Sequence, residues 1–283
     1  MSIILDGFKV AKEIRSKITL ETEQLVRDGN RAPRLTVVCV GEDPASLTYV
    51  ASKEKQAIQV GFTSQVIYKD EESTQDELEA LIDSLNKDSS VDGILVQLPL
   101  PKHIDEDAII SLIDPNKDVD GLTPYNVAML ALGKEGFSPC TPKGIMTLLN
   151  TYDISLESKR VLIIGRSRLV GKPLFNLMLA QNATVTLAHS RTLNLDDEIA
   201  NHDIIVVAIG QREFIKASSI KSNHVLIDVG IHHNDEGNIV GDVESAAYSI
   251  ASYASPVPRG VGPMTIASLL DNTLIAYKRS VEL

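Results

Sequence analysis

A short apolar run, Val161-Leu162-Ile163-Ile164, stops at Gly165, turns through Arg166-Ser167-Arg168 and re-enters a helix past Gly171-Lys172-Pro173. A buried strand that ends at a glycine and leads into a helix is how α/β domains present helix-terminal N–H groups to phosphate. The usual three-glycine dinucleotide fingerprint is not spelled, because Arg166 and Ser167 occupy the turn where that pattern has close-packing glycines. The departure points to a nucleotide site built from side-chain cations as well as backbone. Gly165 can make the tight turn, and Gly171 permits close helix–sheet approach. Ser167 can donate to a phosphate oxygen, and Arg166 adds a charge-assisted contact. Arg168 fits a solvated turn better and is left outside the site.

The rest of the chain alternates in the same α/β manner. Val10, Ala11, Ile14, Ile18 and Leu25 fall near one helical face, which ends at Asp28-Gly29-Asn30. Strands are expected at Leu35–Val40, Gln65–Tyr68 and Gly93–Leu98, with helices over residues 45–60 and 75–86 between them. Helix-separated apolar strands favour a mainly parallel sheet. Residues 114–123 and 133–142 are rich in turn formers and read as loops, the second preceding a helix at 143–151. A second α/β unit follows from Val161, with strands at Thr184–Ala188, Ile204–Ala208 and Val225–Val229. After the Pro/Gly cluster at 256–263, an apolar helix from Met264 to about Lys278 closes the chain, and it is expected to pack on the first domain.

With 43% hydrophobic residues over 283 positions, the chain can bury one or two real cores. A formal charge of −11 argues for solubility and against a nucleic-acid or membrane surface, while leaving room for a local basic pocket. Cys39 in an apolar run and Cys140 among prolines give no disulfide-scaffold spacing, so a reducing cytoplasm is the expected setting. The opening residues show no basic segment leading into a long apolar one, and no signal peptide is expected.

His189-Ser190-Arg191-Thr192 follows the strand after the phosphate turn. An NAD-selective fold often places an acidic residue there for the ribose hydroxyls; a hydroxyl and an arginine suit a 2′-phosphate instead, which favours NADP. Asp228-Val229-Gly230-Ile231 ends a later strand, where Ile231 and its neighbours could pass backbone groups against the cofactor ring. Asp228 could equally serve only to satisfy loop N–H groups. The histidines, including the adjacent pair His232-His233, lack metal-ligand spacing, so no metal is expected.

In the first half, Tyr49 and Lys53 lie four residues apart, on one helix face. Alone, such a pair is more often packing than chemistry. Gln97-Leu98-Pro99-Leu100-Pro101 adds an uncharged amide at a strand end followed by a proline-stiffened loop, and Lys117-Asp118-Val119-Asp120-Gly121 adds a carboxylate on a constrained turn. Asp120 could also be a capping carboxylate in an Asp-rich turn.

Together with Pro139-Cys140-Thr141-Pro142, Gly165-Arg166-Ser167…Val170-Gly171-Lys172-Pro173, Asp228-Val229-Gly230 and Pro256-Val257-Pro258…Gly260-Val261-Gly262-Pro263-Met264-Thr265, these stretches resemble the bifunctional methylenetetrahydrofolate dehydrogenase/methenyltetrahydrofolate cyclohydrolase family. The resemblance covers nearly the whole chain. It implies an α/β protein of two domains with a cleft between them: a folate-binding catalytic domain over 1–140, completed by a C-terminal helix at 264–283, and a Rossmann-like NADP-binding domain over 141–263. It also implies a cytoplasmic homodimer working in one-carbon metabolism and purine biosynthesis. Within that resemblance Lys53 is the central catalytic residue, Gln97 supports it, Tyr49 packs on the folate and Asp120 binds the pterin. Arg166, Ser190 and Arg191 would hold the 2′-phosphate of NADP. Arg259 departs from the pattern, since the family commonly has Gly-Gly where this chain has Arg259-Gly260.

The implied chemistry constrains Lys53. A charged ammonium beside a methenyl cation would oppose its formation, so Lys53 is expected to act at least partly as the neutral amine. A base useful at neutral pH needs a pKa of about 7 to 8, against about 10.4 for a free lysine. Three other readings remain: a dehydrogenase with weak or absent hydrolysis, an oxidoreductase of another substrate class, and a nucleotide-binding module with no activity.

Overall fold

The computed structural model describes residues 2–282. Its first half runs β1 (Ile3–Ile4), α1 (Gly7–Arg27), β2 (Arg34–Val40), α2 (Pro44–Gln59), β3 (Thr63–Lys69), α3 (Gln75–Lys87), β4 (Gly93–Val96), α4 (Glu106–Leu112) and α5 (Pro124–Ala131). The chain continues through α6 (Cys140–Thr151), β5 (Arg160–Ile164), α7 (Gly171–Leu179), β6 (Thr184–Ala188), α8 (Leu195–Ala200), β7 (Ile204–Val207) and β8 (Val225–Asp228). It closes with β9 (His232–His233), β10 (Ile239–Val240), α9 (Ala247–Ile250), β11 (Tyr253–Ser255) and α10 (Val261–Ser280). Leu283, the last residue of the expected closing helix, lies outside the described residues.

The chain divides into two compact units. One holds Glu13–Cys140 with the residues from Leu269 onward; the other holds the residues up to Lys12 with Thr141–Ser268. The sequence reading kept residues 1–12 with the folate half. The structure groups them with the other unit, because β1 pairs in parallel with β11 through Ile3↔Tyr253 and Ile4↔Ala254.

The Glu13–Cys140 unit is built on a parallel sheet of order β3-β2-β4. Leu35 to Val40 are all buried in β2, as a central strand covered on both faces requires. One face packs Val38, Ile94 and Val96 against Leu78 and Ile82 of α3 and Ile109 and Ile110 of α4. A full capping box starts α3: Thr74 Oγ1 accepts from Glu77 N–H at 3.3 Å, and Glu77 Oε2 accepts from Thr74 N–H at 2.9 Å. The end of α10 is fixed here too. Asn272 Nδ2 donates to Val119 O at 2.8 Å, and Ser280 Oγ donates to Asp92 at 3.1 Å.

In the other unit a six-stranded, wholly parallel sheet runs β1-β11-β8-β7-β5-β6. Strand β5 has β6 on one side and β7 on the other, so the winding reverses beside it. In open α/β sheets the crevice at the carboxyl ends of such strands is where ligands bind.

Several boundaries differ from the sequence reading for one reason. Helices α6 and α10 begin at Cys140 and Val261, each about three residues before the expected start, with Pro142 and Pro263 inside their first turns. A proline there removes an N–H that has no intrahelical acceptor anyway, so it does not mark the end of a loop. Strands β1, β9, β10 and β11 were not expected; with two or three residues each, they are too short to carry a period.

Candidate active site

Helix α2 presents the first group of candidate residues. Asp43 caps it by accepting from Ser46 N–H at 2.8 Å, and Pro44 opens its first turn. One turn apart along it, Tyr49 and Lys53 meet, with Lys53 Nζ 4.7 Å from the Tyr49 ring centroid. Only 6% of Lys53 is exposed.

Gln97 comes from the end of β4. Its N–H donates to Val38 O at 2.8 Å, which extends the sheet ladder by one residue and fixes the backbone. Its Nε2 donates to Leu98 O at 2.7 Å, which turns Oε1 toward Lys53 Nζ, 2.9 Å away. The ammonium therefore meets a neutral amide acceptor. Burial pushes the Lys53 pKa down, and the negative charge of Asp120 pulls it partly back.

The 117–121 turn divides its labour. Lys117 Nζ caps the end of α3 through the carbonyls of Leu85, Asn86 and Asp88 at 2.7–3.1 Å. Asp118 is the capping carboxylate: it accepts from Leu122 N–H, Thr123 N–H and Asn126 Nδ2 at 2.8–3.1 Å. Asp120 is thereby left for the Lys53 site. Part of Asp120 remains accessible, yet enough protein surrounds its carboxyl that desolvation raises its pKa, against the pull of Lys53 and a hydrogen bond with Cys140. Tyr49 and Gln97 thus each reach Lys53, and Asp120 joins that amine electrostatically.

A hollow of about 420 Å³ opens at the carboxyl ends of β5 and β7, where the winding reverses. Gly165, Arg166, Ser167 and Ser190 line it, with His189, Thr192, Leu195, Ile209, Gln211 and Phe214. Gly165 has φ +121°, and a Cβ on it would stand 2.1 Å from Ala208 O. A Cβ on Gly171 would stand 2.1 Å from Gly165 O, so both glycines serve close backbone approach. Val170 gives α7 no side-chain cap; Lys172 N–H donates to Ser167 O at 3.0 Å and Pro173 carries no N–H, so Gly171 N–H is the donor this helix start offers an anion. Ser167 Oγ accepts from Val170 N–H at 3.1 Å and keeps its own proton to donate.

Two expected cofactor residues are not in the lining of this hollow. The N–H of exposed Arg191 donates to His189 Nδ1 at 3.1 Å. Ile231, 54% exposed, lines a separate hollow of about 300 Å³ with Phe8, Gly230 and the 256–263 loop. Arg259 also lines that hollow. Its φ of +83° is the left-handed region that glycine favours, and its side chain pairs with Asp6 at 3.0 Å and lies over Phe8. Asp228 is a backbone fastener, the plainer of the two sequence readings. It accepts from Gly230, Asp242 and Val243 N–H at 3.0 Å and from Tyr248 OH at 2.8 Å. Burial still pushes its pKa up to about 6 against those four bonds.

Residues 5–120 match the family model for the tetrahydrofolate dehydrogenase/cyclohydrolase catalytic domain, and residues 139–281 match that for its NAD(P)-binding domain. The chain belongs to the tetrahydrofolate dehydrogenase/cyclohydrolase family. Bifunctional protein FolD of Oceanobacillus iheyensis is 50% identical over 98% of both chains. The crystal structure of the bifunctional FolD dehydrogenase/cyclohydrolase of Campylobacter jejuni superposes with a TM-score of 0.96 at 44% identity, over 99% of both chains. The Trypanosoma brucei dehydrogenase-cyclohydrolase, solved with NADP cofactor and an inhibitor, superposes at 0.95 with 37% identity, covering 100% of this chain and 99% of its own.

Against that family background, sequence reasoning passed over Leu195, Ile209, Gln211 and Phe214, which line the larger hollow from elements after β6 and β7. The signal available was positional: residues just past a parallel strand's carboxyl end are site candidates whatever their type. Among the described residues no helix is long and apolar enough to cross a membrane, and no three His, Cys, Asp or Glu side chains gather to hold a metal.

Proposed function

We propose that this protein oxidises 5,10-methylenetetrahydrofolate to 5,10-methenyltetrahydrofolate with NADP and then hydrolyses it to 10-formyltetrahydrofolate. Membership of the family supports the reaction pair. The observation that carries the site assignment is Lys53, a buried amine whose Nζ meets the Gln97 amide at 2.9 Å and whose pKa is depressed by burial.

The hollow at β5 and β7 fits the dinucleotide. The Gly171 N–H at the start of α7 and the Ser167 hydroxyl suit the pyrophosphate, Gly165 and Gly171 let backbone come close, and Arg166 with Ser190 suits the 2′-phosphate. Arg191 is a neighbour of this hollow that could add charge, and Ile231 contributes from the smaller one. NADP, when bound, supplies the hydride acceptor.

The folate is handled by the Lys53 group. Tyr49 offers a ring face for stacking, already polarised by the amine 4.7 Å from its centroid. Asp120 pairs with the amino-pyrimidine edge of the pterin, its carboxyl held above the usual carboxylate range by burial. Lys53 takes a proton from the water that adds to the methenyl carbon, and returns it as the ring opens. Gln97 fixes Nζ without adding a negative charge that would raise the lysine pKa, and a neutral amine beside the methenyl cation does not repel it.

A homodimer in the cytoplasm, serving one-carbon metabolism and purine biosynthesis, completes the proposal on family resemblance. The deciding experiment adds methylenetetrahydrofolate to the protein with NADP or NAD and follows reduced cofactor, methenyl and formyl products separately. Reduced cofactor with no methenyl decay above the uncatalysed rate would leave only a dehydrogenase. Cofactor binding with no turnover would leave only a binding module.

A further inference from the structure

Asp242 follows β10 and is fully buried. Its Oδ2 accepts from Ile209 N–H at 2.7 Å and Gly210 N–H at 3.0 Å; its Oδ1 accepts from Gln211 N–H at 2.8 Å and meets His232 Nε2 at 2.7 Å. Three consecutive amides of the loop leaving β7 therefore converge on one carboxylate, and Ile209 and Gln211 from that loop line the 420 Å³ hollow. The carboxylate is itself held in place. Asp242 N–H donates to Asp228 Oδ1 at 3.0 Å, Ile215 N–H donates to Asp242 O at 3.1 Å, and Glu213 N–H donates to Gly241 O at 3.0 Å. Its contact with His232 reaches the strand just after Ile231, which lines the smaller hollow.

A loop with three free N–H groups would be solvated and would sample many shapes; ordering it on ligand binding would cost affinity. Here those donors are already satisfied inside the protein. The dipoles of four donors also offset the charge of a carboxylate that would otherwise repel an anionic ligand more strongly. Asp242 does not itself line the hollow. We propose that Asp242 is a positioning residue for the dinucleotide: it holds residues 209–211 in the shape that completes the pocket and ties that loop to the strand beginning at His232, so that NADP affinity depends on it. This inference rests on the reading of that hollow as the NADP site.

The test is Asp242→Asn, which keeps the shape but turns an amide NH₂ toward donors that need an acceptor. Leaving such groups unpaired costs enough to raise the NADP Kd and the NADP KM about tenfold. At saturating NADP kcat should stay within about twofold, and methenyl hydrolysis assayed without dinucleotide should do the same, as a uniform shift in binding requires. A folded variant with an unchanged Kd overturns the proposal, as does hydrolysis falling in step with cofactor binding, which would make Asp242 merely structural. Should the variant fail to fold, amide exchange on the wild-type protein decides. Without NADP, the amides of Ile209, Gly210 and Gln211 should exchange as slowly as those of β7. Fast exchange that slows only when NADP is added would overturn the proposal. A wild-type protein that fails to bind NADP sinks the functional reading itself, and this is seen before any variant is made.

Discussion

One unit buries an ammonium at Lys53, 6% exposed; the other buries a carboxylate at Asp228, 0% exposed. Asp228 receives three backbone N–H groups and a tyrosine hydroxyl, so its lone pairs are largely used and it holds a strand end, a hairpin exit and α9 together. Lys53 meets the Gln97 amide oxygen and the face of Tyr49. A buried charge answered on all sides is architecture. An ammonium answered by an amide and a ring keeps its proton loosely, and that suits it to chemistry.

The two sites should respond to neutralisation with opposite signs in stability. Lys53→Met is the largest test: hydrolysis should fall by about 10² to 10⁴-fold, the range for a lost acid–base group, with NADP binding intact. The same variant should melt higher. The folded lysine pKa lies below the unfolded one, so the folded state binds fewer protons between the two values; stability rises with pH across that window, and at neutral pH the burial is a cost. A lower melting temperature for Lys53→Met, or hydrolysis at the wild-type rate, would break the comparison.

Next in size, Arg166→Ala should raise the Kd for NADP by about 10 to 100-fold, the worth of a charge-assisted bond, and shift NAD by no more than about twofold. Equal losses for the two cofactors in calorimetric titration would remove Arg166 from the 2′-phosphate.

Asp228→Asn should destabilise by about 2 kcal/mol in denaturant unfolding at pH 7, because its NH₂ would face N–H donors. The gap should widen on acidification. The raised pKa of about 6 means the folded state holds a proton that the unfolded state has lost, so this group's contribution is full below about pH 4 and disappears through about pH 6. Between pH 7 and 5 the difference between wild type and variant should therefore grow by about 1 kcal/mol; a shrinking gap would reverse the sign assigned here. Smallest is Thr74→Ala, which removes a capping box far in sequence from either charge; it should cost about 1 kcal/mol and leave both activities unchanged.

Much of the Lys53 site was legible because its parts are local. Tyr49 and Lys53 share a helix face by spacing alone, and Gln97 stands at a strand end where side chains enter sites. The division of labour in the 117–121 turn was not legible, since only the fold shows that Asp118 is consumed by Thr123 and Asn126 while Asp120 is not. The phosphate turn was readable at Gly165 through its strand and glycine; Ile231, expected against the cofactor ring, lines a separate hollow that its own position after β8 could not locate. Asp242 gave no signal. Its partners at 209–211 and 232 lie 10 to 33 positions away, and nothing in Gly241-Asp242-Val243 names them.

The pairing of β1 with β11 bears on how this protein can be dissected. A fragment cut at the family boundary, residues 139–281, would contain every residue that lines the 420 Å³ hollow yet lack Ile3 and Ile4. Tyr253–Ser255 would then become the outermost strand, with its N–H and C=O row open to another chain. Such a fragment is expected to self-associate, and adding the first dozen residues back, as a fused segment or a separate peptide, should restore a monodisperse particle. The working boundary of the nucleotide unit is thus drawn by a two-residue strand from the far end of the sequence.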